Sequence, residues 1–157
     1  MTRTLETLSP QEVLALAIHV EQANARRFRA FAEMFESYDP EVARKFVELA
    51  EEEDRHEKQL WERFQSRFGG TLPAIEDVDV PGVVEAVDLD DAEHLIFDTL
   101  EPRRVYELAL QAEHGAQAFY RKAVLQTREA ALAALYRELG EMEDGHVAFL
   151  EEKLRHP

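Results

Sequence analysis

The chain has 157 residues, no cysteine, and a formal charge of −15 from 33 acids against 18 bases. That length fits one domain and buries roughly 70% of the unfolded surface, so neither disulfides nor a metal is needed merely to fold. The missing cysteines exclude disulfide frameworks, thiolate metal sites, iron–sulfur clusters and cysteine nucleophiles, and the acidic balance argues against a nucleic-acid partner.

Uninterrupted apolar runs such as Val13 to Ile18 are too short for a membrane span, and Met1 to Pro10 does not read as a signal peptide. A cytoplasmic protein with no membrane partner is the expectation. Segments rich in Ala, Leu, Glu and Arg with 3.6-residue periodicity, and Gly and Pro mostly outside them, predict an all-α protein.

A capping box opens the first predicted helix (10–38), with Ser9 as N-cap, Pro10 at the first position and Glu12 reaching back. Its stripe runs Leu14, Ile18, Glu21, Ala25, Phe28, Phe31, Phe35. Asp39-Pro40 stops it and caps the second helix (40–68), whose stripe is Val42, Phe46, Leu49, Glu53, His56, Leu60, Phe64 before Gly69-Gly70. Residues 69–101 hold ten acids and no Lys or Arg. They read as a crossover running the length of a bundle, with a short helix near 90–100. The third helix (102–126) carries Tyr106, Ala109, Glu113, Ala116, Tyr120, Val124. The fourth (128–155), with Thr127 as N-cap, carries Leu132, Leu135, Leu139, Glu143, His146, Leu150.

Each of the four stripes is thus interrupted by a Glu, and two of those are followed at i+3 by a His on the same face. Ionised carboxylates in a core are costly unless paired or bound to metal. The heights agree. Glu21 and Glu53 are 32 residues apart about residue 37, and Glu113 and Glu143 are 30 apart about Arg128. Each pair therefore lies level, about 22–24 Å from its turn at 1.5 Å per residue. Residues 47–56 (VELAEEEDRH) and 137–146 (RELGEMEDGH) share six identities at an offset of 90, and Glu21 and Glu113 stand 92 apart. Two copies of a helix hairpin, each giving Glu plus Glu-x-x-His, make a site for two metals: Glu21, Glu53, His56, Glu113, Glu143 and His146. An isolated Glu-x-x-His in an acidic helix is common, and the plainer reading of each such pair is a solvated flank. The matched spacing is what argues against it. His19, His94, His114 and His156 read as surface residues, and Trp61 and the phenylalanines as core or interface. Tyr120, two turns past Glu113, reads first as a core tyrosine; it is also placed to hydrogen-bond a ligand or donate an electron.

The phrases VEQANARRF (20–28), EEEDRH (51–56), AEHGAQAFY (112–120) and EMEDGH (141–146) resemble the rubrerythrin branch of the ferritin-like superfamily over everything but the crossover. The resemblance implies a ferritin-like four-helix bundle with two iron ions on the six residues above; manganese or a mixed pair also suits such ligands. It further implies Fe(II) oxidation by peroxide or dioxygen, as a peroxidase or ferroxidase, with no haem or flavin and with a separate electron donor if turnover occurs. Ala116 stands where rubrerythrins carry an exchanging Glu, and the four-cysteine rubredoxin-like module is missing. The six ligands resemble a bacterioferritin ferroxidase centre equally well, although Glu52 and Met142 stand where bacterioferritins place an Asp. Asp54 and Asp144 are then the candidates to orient the two histidines. A non-enzymatic iron store, a metal sensor and a metal-free interaction domain are the alternatives. A homodimer is expected rather than a cage, because no fifth helix follows Leu154.

Overall fold

The computed structural model describes residues 4–75 and 102–156. Four long α-helices follow a 3-10 turn at Leu5–Thr7: α1 (Pro10–Phe35), α2 (Pro40–Arg67), α3 (Pro102–Gln126) and α4 (Ala130–Arg155). No strand occurs among the described residues. α1 packs along α2 and α3 along α4, and the two hairpins meet through α1 and α3. The result is a ferritin-like four-helix bundle. Most of the predicted crossover, including the expected short helix at 90–100, lies outside the described residues, as does His94.

Local chemistry sets the helix ends. The Ser9 hydroxyl accepts from the Glu12 amide at 3.1 Å, and the Glu12 carboxylate accepts from the Ser9 amide at 3.0 Å. α1 stops at Phe35, short of the expected residue 38. There the Phe35 carbonyl accepts from both Tyr38 N and Asp39 N (3.0 and 2.7 Å), which tightens the chain into its closing turn. The Asp39 carboxylate then accepts from the Val42 amide at 3.3 Å and starts α2. Gly69, at φ +68°, ends α2 in the left-handed conformation that a side chain disfavours, and its amide donates to the Phe64 carbonyl at 3.1 Å. Thr127 is not the N-cap of α4. That position belongs to Glu129, which makes no side-chain cap, while the Thr127 hydroxyl accepts from the Glu129 amide at 3.3 Å. The hydroxyl stabilises the interhelical turn and leaves the helix to start at Ala130.

The apolar core falls into two parts. One gathers Leu14, Ile18, Leu60, Phe119, Leu132 and Leu139 at the end where α2 finishes. The other gathers Phe28, Phe35, Phe46, Leu49, Tyr106 and Leu150 at the opposite end. Phe46 sits at the centre of the second, with ring centroids of Phe28, Phe31, Phe35 and Tyr106 at 5.7–6.2 Å. Between the two lies a polar layer. Among the described residues, no helix is long and apolar enough to cross a membrane.

Candidate metal centre

The layer is made by the residues that broke the four stripes. Glu21 on α1, Glu53 on α2, Glu113 on α3 and Glu143 on α4 have no exposed surface, and His56 and His146 are 4% exposed. Because i and i+3 share a helix face, each His lies beside its own Glu: His56 Nδ1 is 3.7 Å from Glu53 Oε2, and His146 Nδ1 is 3.3 Å from Glu143 Oε2. Each imidazole also reaches across the bundle. His56 Nδ1 lies 3.4 Å from Glu21 and 3.6 Å from Glu143; His146 Nδ1 lies 2.9 Å from Glu53 and 3.4 Å from Glu113. The two rings are nearly parallel, with centroids 6.2 Å apart.

These six side chains form two overlapping groups, Glu21–Glu53–His56–Glu143 and Glu53–Glu113–Glu143–His146, each offering ligand atoms within 4.8 Å of one another. Glu53 and Glu143 belong to both. Nine buried atoms of the cluster complete no hydrogen bond: Glu21 Oε2, both oxygens of Glu53, Glu113 and Glu143, and Nδ1 of the two histidines. Buried polar atoms are otherwise almost always satisfied. Four carboxylates with two neutral imidazoles carry four negative charges, which two divalent cations balance. The donor set, oxygen-rich with imidazole nitrogen, suits iron or manganese.

The protonation states show the strain of crowding acids in a dry layer. Burial, with repulsion from Glu53 and Glu143, pushes the Glu21 carboxyl well above its ordinary range. Burial and the neighbouring Glu143 do the same to Glu113. Burial alone would also raise Glu143, but Glu113, His146 and His56 around it hold it well below the usual carboxylate range. Burial would lower the imidazoles, yet Glu143, Glu21 and Glu53 push His56 up to about 12. His146 is likewise raised, against the effect of burial, by Glu113, Glu143 and Glu53.

Two neighbours complete the site. The Tyr120 hydroxyl donates to Glu21 Oε1, and burial together with the charges of Glu21 and Glu143 raises its pKa well above normal. Tyr120 comes close to α4 because residue 140 is glycine: a Cβ there would lie 3.3 Å from the Tyr120 Cβ. Behind His146, Nε2 donates to Glu52 Oε2 at 2.6 Å. Neither Asp54 nor Asp144 takes that role. Asp54 pairs with Arg29, and Asp144 accepts from Gln117 Nε2 at 2.6 Å. The sequence did hold a signal for Glu52: it is the one acid of EEEDRH at the position of Met142 in the repeat. Of the remaining histidines, His114 and His156 are exposed and His19 is half-buried, all outside both groups.

Four helices carrying buried Glu and Glu-x-x-His in two matched hairpins define the ferritin-like diiron-carboxylate class. The Rubrerythrin family model matches residues 12–154, and the chain belongs to that family. No curated protein matches the chain. Three solved structures share its fold. An uncharacterized conserved protein from Magnetospirillum magnetotacticum MS-1 is 20% identical, with TM-score 0.75 over 94% of this chain and 95% of that one. A hypothetical protein from Pyrococcus furiosus is 24% identical, with TM-score 0.70 over 96% and 91%. A Thermotoga maritima protein described as ferritin-like and diiron-carboxylate is 18% identical, with TM-score 0.72 over 95% and 96%. At such identities the likeness speaks for the fold alone.

Proposed function

We propose that this protein holds two iron ions on Glu21, Glu53, His56, Glu113, Glu143 and His146 and oxidises Fe(II) with peroxide or dioxygen. The observation that carries the reading is the pair of overlapping ligand groups sharing Glu53 and Glu143. In this reading Glu53 and Glu143, which belong to both groups, would help to hold both ions, and Glu21 with His56, and Glu113 with His146, would each help to hold one. Bound iron supplies one-electron redox chemistry and Lewis acidity.

The chain's own groups do the rest. Glu21, Glu113 and the two imidazoles hold their protons more tightly than usual and would have to release them to ligate a cation, so uptake would be coupled to proton release. The Tyr120 hydroxyl fixes one oxygen of Glu21 and keeps a proton at the edge of the layer. The apolar parts of the core above and below exclude water. A surface cavity of about 420 Å³, lined among others by Glu52, His56, Met142 and His146, lies beside both imidazoles and is large enough to admit peroxide. Turnover in this reading draws electrons from a separate donor, since these 157 residues hold no cysteine for an iron–sulfur or rubredoxin-like relay.

Metal analysis of iron-supplied protein tests the first half: about two ions per chain, with occupancy lost in the Glu53→Ala/Glu143→Ala double variant. Unchanged metal content in that variant refutes the site. Stopped-flow absorbance tests the second half, with Fe(II) oxidation expected to be faster with peroxide than with dioxygen. Continuing peroxide consumption with an added reductant marks a peroxidase, and a single stoichiometric oxidation marks a storage or sensing protein. A cytoplasmic homodimer is part of the same proposal. Trp61, 40% exposed beside Phe64, and Val47, 41% exposed, offer apolar surface on α2 for twofold pairing. Light scattering should give about twice 18.1 kDa; a particle of several hundred kilodaltons would move the function towards bulk storage.

A further inference from the structure

The internal repeat relates the two hairpins closely, so departures from it show where they have been made different. Position 52 corresponds to 142, and His56 to His146, at the offset of 90. Glu52 accepts from His146 Nε2 at 2.6 Å, across the interface between α2 and α4. The matching arrangement would put residue 142 behind His56. That residue is Met142, which lines the same cavity as His56 and offers no carboxylate. Among the described residues His56 Nε2 has no hydrogen-bond or ion-pair partner.

We propose that the two metal positions are unequal, and that the group Glu53–Glu113–Glu143–His146 takes up the first cation because Glu52 stands behind its imidazole. The inference rests on the dimetal reading above. A carboxylate accepting the outer N–H of an imidazole fixes the ring and tautomer and pushes electron density toward the ligating nitrogen. With Nδ1 of His146 turned to the carboxylates and Nε2–H held by Glu52, that imidazole is already set to ligate. His56 has the same inward Nδ1 but, among the described residues, no anchor on its outer side. A second observation points the same way. Tyr120 occupies one oxygen of Glu21, whereas both oxygens of Glu113 are without a hydrogen-bond partner. The hydroxyl has no counterpart across the repeat, because the residue related to Tyr120 at the offset of 92 is Phe28. The His146 group therefore presents more open donor atoms and the better-held imidazole. Glu52 is a positioning residue in this account; it touches the imidazole and no ligand oxygen.

Removing such a partner typically costs 10–100-fold in metal affinity. Calorimetric titration of the stripped, full-length protein with Co(II), which is not oxidised under these conditions, reads that cost directly. The wild type should bind two ions in two resolved steps, the first at least about ten-fold tighter. Glu52→Met, which makes the repeat symmetric without an anchor, should weaken the first step by about ten-fold and leave the total at two. Met142→Glu, which makes it symmetric with two anchors, should tighten the second step by about as much. Both positions are partly exposed, and thermal melting of the metal-free variants serves as the check that they fold. The step lost should be the first in His146→Gln and the second in His56→Gln. Two equal wild-type steps, or a Glu52→Met isotherm with the tighter step intact, overturn the inequality while leaving two metals in place. Failure of the wild type to bind two ions overturns the dimetal reading itself, and the inequality with it.

Discussion

Without metal, the protein should lose stability as pH rises from 5.5 to 8, and part of the loss is traceable to two histidines. His56 and His146 both have raised folded-state pKa values, His56 to about 12. A raised folded value means that the group stabilises fully below its unfolded pKa, near 6.5 for His, and that this contribution disappears as pH climbs toward the folded one. Between pH 6.5 and 8 the unfolded chain releases two protons that the folded protein keeps. At about 1.4 kcal/mol per proton per pH unit, the two groups account for a ceiling of about 4 kcal/mol. Glu21 and Glu113, also raised, begin to act in the same direction from about pH 4.5 upward. Glu143 is depressed, so its contribution is already complete above about pH 4.5 and stays flat through this window. Typical domains have only 5–15 kcal/mol in total, so the fall should be plain. Urea unfolding followed by circular dichroism in the presence of chelator measures it, with the midpoint falling and the slope unchanged. The His56→Gln/His146→Gln variant should reduce the fall above pH 6.5 and leave the part due to Glu21 and Glu113. Divalent metal should reverse it, because binding displaces protons and tightens with pH. A metal-free stability that is constant or rises from pH 5.5 to 8 would refute the buried-proton account of the layer.

Three packing changes follow from the same structure. Phe46→Ala empties the centre of a cluster of five aromatic rings and should cost about 3–5 kcal/mol, a fall in Tm of roughly 10 °C in a thermal melt. Tyr120→Phe leaves Glu21 Oε1 without its donor and should destabilise the metal-free protein by about 1–3 kcal/mol in urea titration. Gly140→Val drives a branched side chain against Tyr120 and should cost about 1–3 kcal/mol, with quenching or shift of tyrosine fluorescence reporting the displaced ring. An unchanged Tm in the first, or a gain in stability in either of the others, would contradict the packing described.

What could be read from the sequence, and what could not, divides along a physical line. The bundle and its polar layer were legible because they depend on relations within one helix or one hairpin. A Glu breaking an apolar stripe, a His three residues on, and equal distances from a turn are fixed by helix geometry before any tertiary contact is known. The two parts of the core are equally local in origin, since each stripe supplies apolar residues on either side of its Glu. The failures lie where two elements compete or where separate helices meet. Asp39 and Thr127 both look like caps, but only Asp39 is one, because nothing in local propensity says that the chain after Gln126 needs a longer turn. The partner of His146 depended on which face of α2 lies against α4. Glu52, Asp54 and Asp144 are alike in composition, and their neighbours across the bundle separate them: Arg29 holds Asp54, Gln117 holds Asp144, and only Glu52 is left within reach of the imidazole. The repeat shows why this matters for function. The candidate ligands are repeated to the residue in both hairpins, while the position behind each histidine differs. The difference is what a site would need if its two metals were to enter, or react, in order.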